Sequence, residues 1–418
     1  MVKESTDPIM AIEVPDDWNL SPLGECVTEK LSYGINAPAI PYNPNYPRYI
    51  RITDITENGQ FDSSDPKSVN TDDREKYTLK EGDIVLARTG ASTGKSYLYR
   101  KKDGELVYAG FLIKAAIDTK RHNPRFIAGQ LTTKRYWNWV ATVSMRSGQP
   151  GINGKEYASF LIPIASKMEQ DLIAYTISQF DTYIDDLAEL IEKKRGIRDG
   201  ALEDLIHHRT RLDGFNGDWI TVTFNQVITP KARIGWQGLK KHEYLRSGYS
   251  YLIGGTDFSH GTVILDNIWY VSKDRYDMDA NIQVSKNDVL VTKDGTIGKV
   301  ALVPKLGKPA TLNSGVFVFR TNNRLLPTFL FRVLSSSVFR EFIDTLSAGS
   351  TIKHLYQKDL KNFEFEIPVD KKEQEAIANT LTAMDEEIEA LEIERDKMIQ
   401  IREGAMDDLL TGRVRLKV

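Results

Sequence analysis

The chain has 418 residues, 41% of them hydrophobic and 27% charged, with one cysteine and a net charge of −3. That length exceeds one compact core and asks for two to four units, while a lone cysteine (Cys26) excludes a disulfide framework or a thiolate metal cluster. The total charge points to no nucleic acid, no apolar run approaches the ~18 residues of a membrane span, and MVKESTDPIM lacks an apolar signal core, so a folded cytoplasmic protein is expected.

In chain order, the first 165 residues show short runs such as GDIVLAR, broken by Gly, Pro, Asn and Asp, which predict strands and turns with a few short helices. Residues 166–212 carry no proline and a helical period. Ile173, Ile177, Phe180, Ile184, Leu187 and Ile191 alternate steps of four and three, and Leu205 follows on the same helix, the pattern of a coiled-coil seam. Residues 213–370 return to strand-and-turn chemistry, as in YLIGGTDF and NDVLVTKDG. Residues 371–418 repeat the helical period, with Ile377, Leu381, Met384, Ile388, Leu391, Met398 and Leu409 in the seam.

The second half is a copy of the first. Arg198, Gly200, Ala201, Asp204, Leu205, Arg209, Arg211 and Leu212 come back as Arg402, Gly404, Ala405, Asp408, Leu409, Arg413, Arg415 and Leu416. KEGDIVLARTGASTGK (from Lys80) matches SKNDVLVTKDGTIGK (from Ser285), and LIPIASKMEQ matches EIPVDKKEQ. One unit of ~200 residues is used twice.

A helix over residues 167–209 would be ~64 Å long. The strand-rich part between the two helices should be only ~40 Å across, so its two ends can meet both helices only if they run antiparallel. A parallel in-register pair would also set Arg198 beside Arg402. The expected architecture is α+β: two strand-rich mixed α/β domains at opposite ends of a long antiparallel two-helix coiled coil, related by a pseudo-twofold axis. Gly196 has Gln400 as its counterpart and allows a local kink. Charge is segregated, the two helical segments holding 15 basic against 22 acidic residues and the rest a small positive excess.

Duplicated domains, each followed by such a helix, together with YIRITDI, SMRSGQPGINGKEYASFLIPI, LSAGSTIKHLYQKDLKNFEFEIP and the endings GALEDLIHHRTR and GAMDDLLTGRVR, resemble the DNA specificity subunit of type I restriction–modification systems. The resemblance covers nearly the whole chain. It implies two target-recognition domains (residues 1–165 and 213–370), and central and C-terminal helices (166–212 and 371–418) that act as ruler and docking platform. It implies no catalysis by this chain and no cofactor of its own. It further implies double-stranded DNA as ligand, with each domain reading half of a bipartite, asymmetric site. Two methyltransferase subunits using S-adenosylmethionine, and two ATP- and Mg-dependent restriction–translocase subunits, would be the partners. A protein-interaction scaffold without sequence reading is the alternative.

Three loops are candidate DNA contacts, because short donors and cations beside glycines suit phosphates and base edges. The first is the turn with Arg88, Ser92, Thr93 and Lys95, matched by Lys293, Thr296 and Lys299. The second holds Arg146, Gln149, Asn153 and Lys155, matched by Ser350, Thr351, Lys353 and His354. The third holds Tyr33 and Asn36, opposite Arg233 and Trp236. A solvated turn is the plain alternative for each. Gly90–Ser96 imitates a phosphate-binding loop but has three residues between its glycines where four are needed, so a hairpin is expected. The six histidines show no metal spacing, and Asn123-Pro124-Arg125-Phe126 fails as an adenine-methyltransferase tetrapeptide at its third residue.

Overall fold

A computed structural model describes residues 14–145, 150–235, 238–347 and 354–416, which form two compact units. The first combines the chain up to Leu187 with Glu394 onward; the second spans Ala188–Ile393.

In the first unit, strand Asp83–Ala87 is buried at every position and apolar from Ile84 on, as expected of a strand covered on both faces. It lies inside an antiparallel sheet ordered Ser32–Tyr33, Leu112–Ala116, Asp83–Ala87, Ser96–Leu98. A second sheet is ordered Ile40–Pro41, Lys67–Ser68, Arg48–Ile50, Leu106–Tyr108, with its last pair parallel. Asn19–Pro22 pairs with Leu161–Ile164. Helix Pro124–Gln130 starts where Asn123 accepts from the amides of Arg125 and Phe126, with proline at a position that has no amide to lose. Its core gathers Trp18, Ile84, Ile113, Phe126, Tyr136, Trp139 and Phe160.

The second unit repeats this plan. The sheet around Val289–Thr292 runs Ile228–Ala232, Val316–Thr321, Val289–Thr292, Val300–Leu302, extended by Thr262–Val263 and Phe258–Ser259. The other sheet runs Trp269–Val271, Ser250–Ile253, Ala310–Leu312, Gln283–Val284, again with one parallel pair. Trp219–Thr223 pairs with Glu364–Pro368.

The long helices are Lys167–Ile206 (40 residues, about 60 Å) and Lys371–Thr411 (41 residues). The first ends short of the expected residue 209 and passes through Gly196 unbroken. It stops where His208 takes a left-handed conformation, the position that Gly412 holds in the second copy. The His208 ring stacks on Trp219 and its Nε2 meets Glu366 at 2.9 Å, contacts that offset the cost of the conformation.

Each long helix contributes to both units, and within each unit the two helical segments run antiparallel. In the first, Asp181 meets Arg402 (2.5 Å) while Glu169 meets Arg415 (2.6 Å). In the second, Lys194 meets Glu387 (2.6 Å), Arg198 meets Asp385 (3.3 Å) and Arg211 meets Glu373 (2.7 Å). Cations of each helical segment thus face carboxylates of the other. The ends of the seam are also domain core: Ile173, Ile177, Leu409 and Leu410 join the first unit's cluster, and Leu205, Ile377 and Leu381 the second's.

Candidate nucleic-acid interface

Two loops that lie far apart in sequence meet in the first unit. Strands Asp83–Ala87 and Ser96–Leu98 are joined by a hairpin whose turn makes a single 3-10 turn at Gly90–Ser92, so the sequence that imitates a phosphate-binding loop leads into a strand and opens no α-helix. The chain re-enters beside this turn at Pro150: Thr89 bridges Gly151, the Gly90 amide donates to Pro150 O (3.1 Å), and the Ile152 amide to Arg88 O (2.9 Å). Asn153 then caps helix Gly154–Ser159 through the amides of Lys155 and Glu156, leaving Lys155 exposed. Tyr33 ties the third loop in, its hydroxyl accepting from the Gly154 amide (3.0 Å) and its ring lying 4.9 Å under the Arg88 guanidinium. Asn36 and Ser92 lie at the surface or half-buried nearby in the chain.

Not every candidate presents itself. Thr93 is buried and its hydroxyl donates to Gly90 O (2.8 Å), so it shapes the turn. Lys95 is mostly covered and pairs with Glu57 (2.7 Å).

The second unit builds the same junction. Lys293 follows strand Val289–Thr292, its amide donates to Gly315 O, and its carbonyl accepts from the Leu355 amide (2.8 Å). Asp294 bridges His354, the counterpart of the Thr89–Gly151 contact. Thr296 and Lys299 are exposed on this turn, and the Lys299 amide is held by Thr292 Oγ1 (2.9 Å). Gly90 and Gly295 both take positive φ (+71°), with open space where a Cβ would stand, so backbone is accessible at both turns.

Arg233 is corrected by the structure. It is 2% exposed, its Nε donates to Leu312 O (2.9 Å), and burial pushes its guanidinium below the ordinary range. A side chain so enclosed pins two strands and does not reach a duplex. Arg146, Gln149, Trp236, Ser350, Thr351 and Lys353 lie outside the described residues.

Two features escaped the sequence reading. Asp294 sits between Lys293 and Gly295 and holds the His354 ring through Nδ1. Phe111, 58% exposed, follows Gly110, whose carbonyl faces the Arg88 guanidinium (3.5 Å). Neither departs from ordinary turn composition, so one sequence carries no signal for them. Among the described residues no cluster of His, Cys, Asp or Glu could hold a metal, and no helix is long and apolar enough to cross a membrane.

The family model for the type I restriction modification DNA specificity domain matches twice, at residues 15–194 and 216–399. Two proteins of Methanocaldococcus jannaschii, named for the type I restriction enzymes MjaX and MjaVIII as their specificity subunits, are 25% and 22% identical. The matches cover 97% and 99% of this chain, and 95% and 97% of the relatives. The crystal structure of a type I restriction–modification S subunit from M. genitalium superposes with a TM-score of 0.58 at 17% identity, over 97% of this chain and 99% of that one, a likeness of fold.

Proposed function

The chain belongs to the type I restriction–modification DNA specificity family, and from that premise we propose that it is the non-catalytic subunit that selects a bipartite, asymmetric DNA site. Each strand-rich unit reads one half-site through its two-loop junction. The long helices pair as an antiparallel coiled coil with pseudo-twofold symmetry, fix the gap between half-sites, and offer the docking platform for two methyltransferase subunits. Two restriction–translocase subunits complete the assembly in this reading. S-adenosylmethionine, ATP and Mg serve those partners and not this chain.

One observation carries the proposal. The same junction of hairpin turn and returning loop is built at equivalent places in both units, but its side chains differ: Arg88 and Thr89 in one, Lys293 and Asp294 in the other. A repeated frame with different donors and acceptors suits two half-sites of different sequence.

The test is selection from a random duplex library by the tagged chain recovered with its co-purifying subunits. A split motif with a fixed gap is expected, and exchanging residues 1–165 for those of a relative should alter one half only. Change in both halves, or no enrichment with methyltransferase present, would overturn the proposal and favour the interaction scaffold.

A further inference from the structure

The second unit's turn carries an anion where the first carries a hydroxyl: Asp294 stands at the place of Thr89. We propose that Asp294 reads the exocyclic amino group of a cytosine in the half-site addressed by the second unit, an inference that rests on the DNA-recognition role given above.

A carboxylate on a surface meant for DNA repels phosphates, so it adds nothing to sequence-independent affinity. It is tolerated there if it meets a donor, and the donors that a groove offers are base amino groups. Cytosine N4 is flanked by a C–H, whereas adenine N6 is flanked by the N7 lone pair, which repels a second acceptor. A carboxylate therefore selects cytosine.

The geometry holds Asp294 ready for that role. Its Oδ1 meets His354 Nδ1, and because a carboxylate only accepts, the ring nitrogen donates. The His354 ring is braced by Tyr356 at 4.5 Å, and the backbones of Asp294 and His354 are bridged. Oδ2 has no hydrogen bond among the described residues, and the side chain is 43% exposed. Beside it, Gly295 leaves open space, so a base edge can approach without meeting a side chain from that position. Lys293 and Lys299 flank the turn and supply the phosphate attraction that the carboxylate lacks.

The plain alternative makes Asp294 the anchor of His354 and nothing more. Asp294→Asn separates the two, since its amide oxygen still accepts from the ring while the net charge is gone. Wild-type, D294N and D294A chains, each recovered with its partner subunits, are put through the same duplex selection. The exchange of residues 1–165 identifies which half belongs to which unit. For D294A, discrimination at one cytosine of the second half-site should fall on the order of tenfold, with the first half unchanged. For D294N, preference at that position should move away from cytosine toward a purine, because the oxygen stays with the ring and the NH2 that replaces Oδ2 donates to an acceptor such as N7. A wild-type motif from both variants overturns the inference and leaves the bipartite reading standing. Loss of the entire second half in both variants overturns it too, in favour of the anchor. No split motif from the wild-type chain removes the DNA-recognition reading itself.

Discussion

Glu169 and Glu373 are nearly inaccessible carboxylates at the starts of the two long helices, and each is held by side chains from two other parts of the chain. Glu169 accepts from Trp18 Nε1 (3.1 Å) and from Arg415 (2.6 and 2.9 Å); Glu373 accepts from Trp219 Nε1 (3.3 Å) and from Arg211 (3.0 and 2.7 Å). Arg211 and Arg415 were legible as repeated residues, but their partners were not, because the pairs are 162 and 246 positions apart. Removing the arginine leaves a buried charge with one donor. Arg211→Ala is expected to cost about 2–3 kcal/mol, near the low end for a broken buried pair since the guanidinium is partly solvated. The urea midpoint measures this, and an unchanged midpoint would show that the pair contributes nothing. A second residue gives a pH prediction. Burial raises the Asp288 carboxyl above the ordinary range, against its bond from the Ser285 amide (3.0 Å). A folded-state value above the unfolded one contributes stability below the carboxylate range, and that contribution is lost as pH rises through the folded value. Asp288→Asn keeps the acceptor and stays neutral, so it should be more stable than wild type at pH 7, with the advantage shrinking toward pH 4 and below. Equal differences at both pH values would count against this account. The one thiol follows the same logic: burial pushes Cys26 up to about 11, so alkylation at pH 8 should be slow in the folded chain and rapid in denaturant.

Among the elements, the long helices were the most legible, since a four–three alternation from Ile173 to Ile191, repeated from Ile377 to Leu391, leaves few alternatives to an amphipathic helix. What the period could not say is what covers the apolar face. Periodicity reports that a face is buried, and a domain core satisfies it as well as a partner helix does. Leu381 shows the outcome: it is fully buried, and it belongs to the core that also holds Phe319 and Phe329. Leu381→Ala should therefore cost about 2–5 kcal/mol, like any large core truncation. Ile393→Ala on the exposed face should stay within about 0.5 kcal/mol. Chemical denaturation compares the two directly, and similar losses would mean that Ile393 is covered. Strand positions were read coarsely, because two- and three-residue strands such as Ser32–Tyr33 and Lys67–Ser68 are too short to show a period.

Across the whole molecule, the duplication has a structural consequence that its sequence signature does not reveal: each unit is completed by the end of the other copy's helix. Leu410 sits against Gly129, where even a Cβ would come within 2.9 Å, and its carbonyl accepts from Gln130 Nε2 (2.7 Å). The first unit is thus closed by residues more than 200 positions beyond its own strands. Truncation after Ile393 should expose the first unit's core while leaving the second unit's residues all present. Limited proteolysis should then cut first within residues 14–187, and equal resistance of both units would contradict this closure. The candidate interface divides in the same way. The two loops of each junction could be named from glycine, cation and amide chemistry, and they do meet. That Arg233 would be enclosed could not be read, because nothing in a surface-like string marks a side chain as running beneath a sheet.

By itself the sequence determined the duplication, the strand-rich and helical segments, and the family, since these rest on local composition, period and ordered phrases. The tertiary structure decided which residues close each unit, which cations are spent on carboxylates, and that Asp294 and His354 stand together on one turn. Those depend on pairs of groups brought within a few ångströms from distant parts of the chain, and no local pattern encodes that distance.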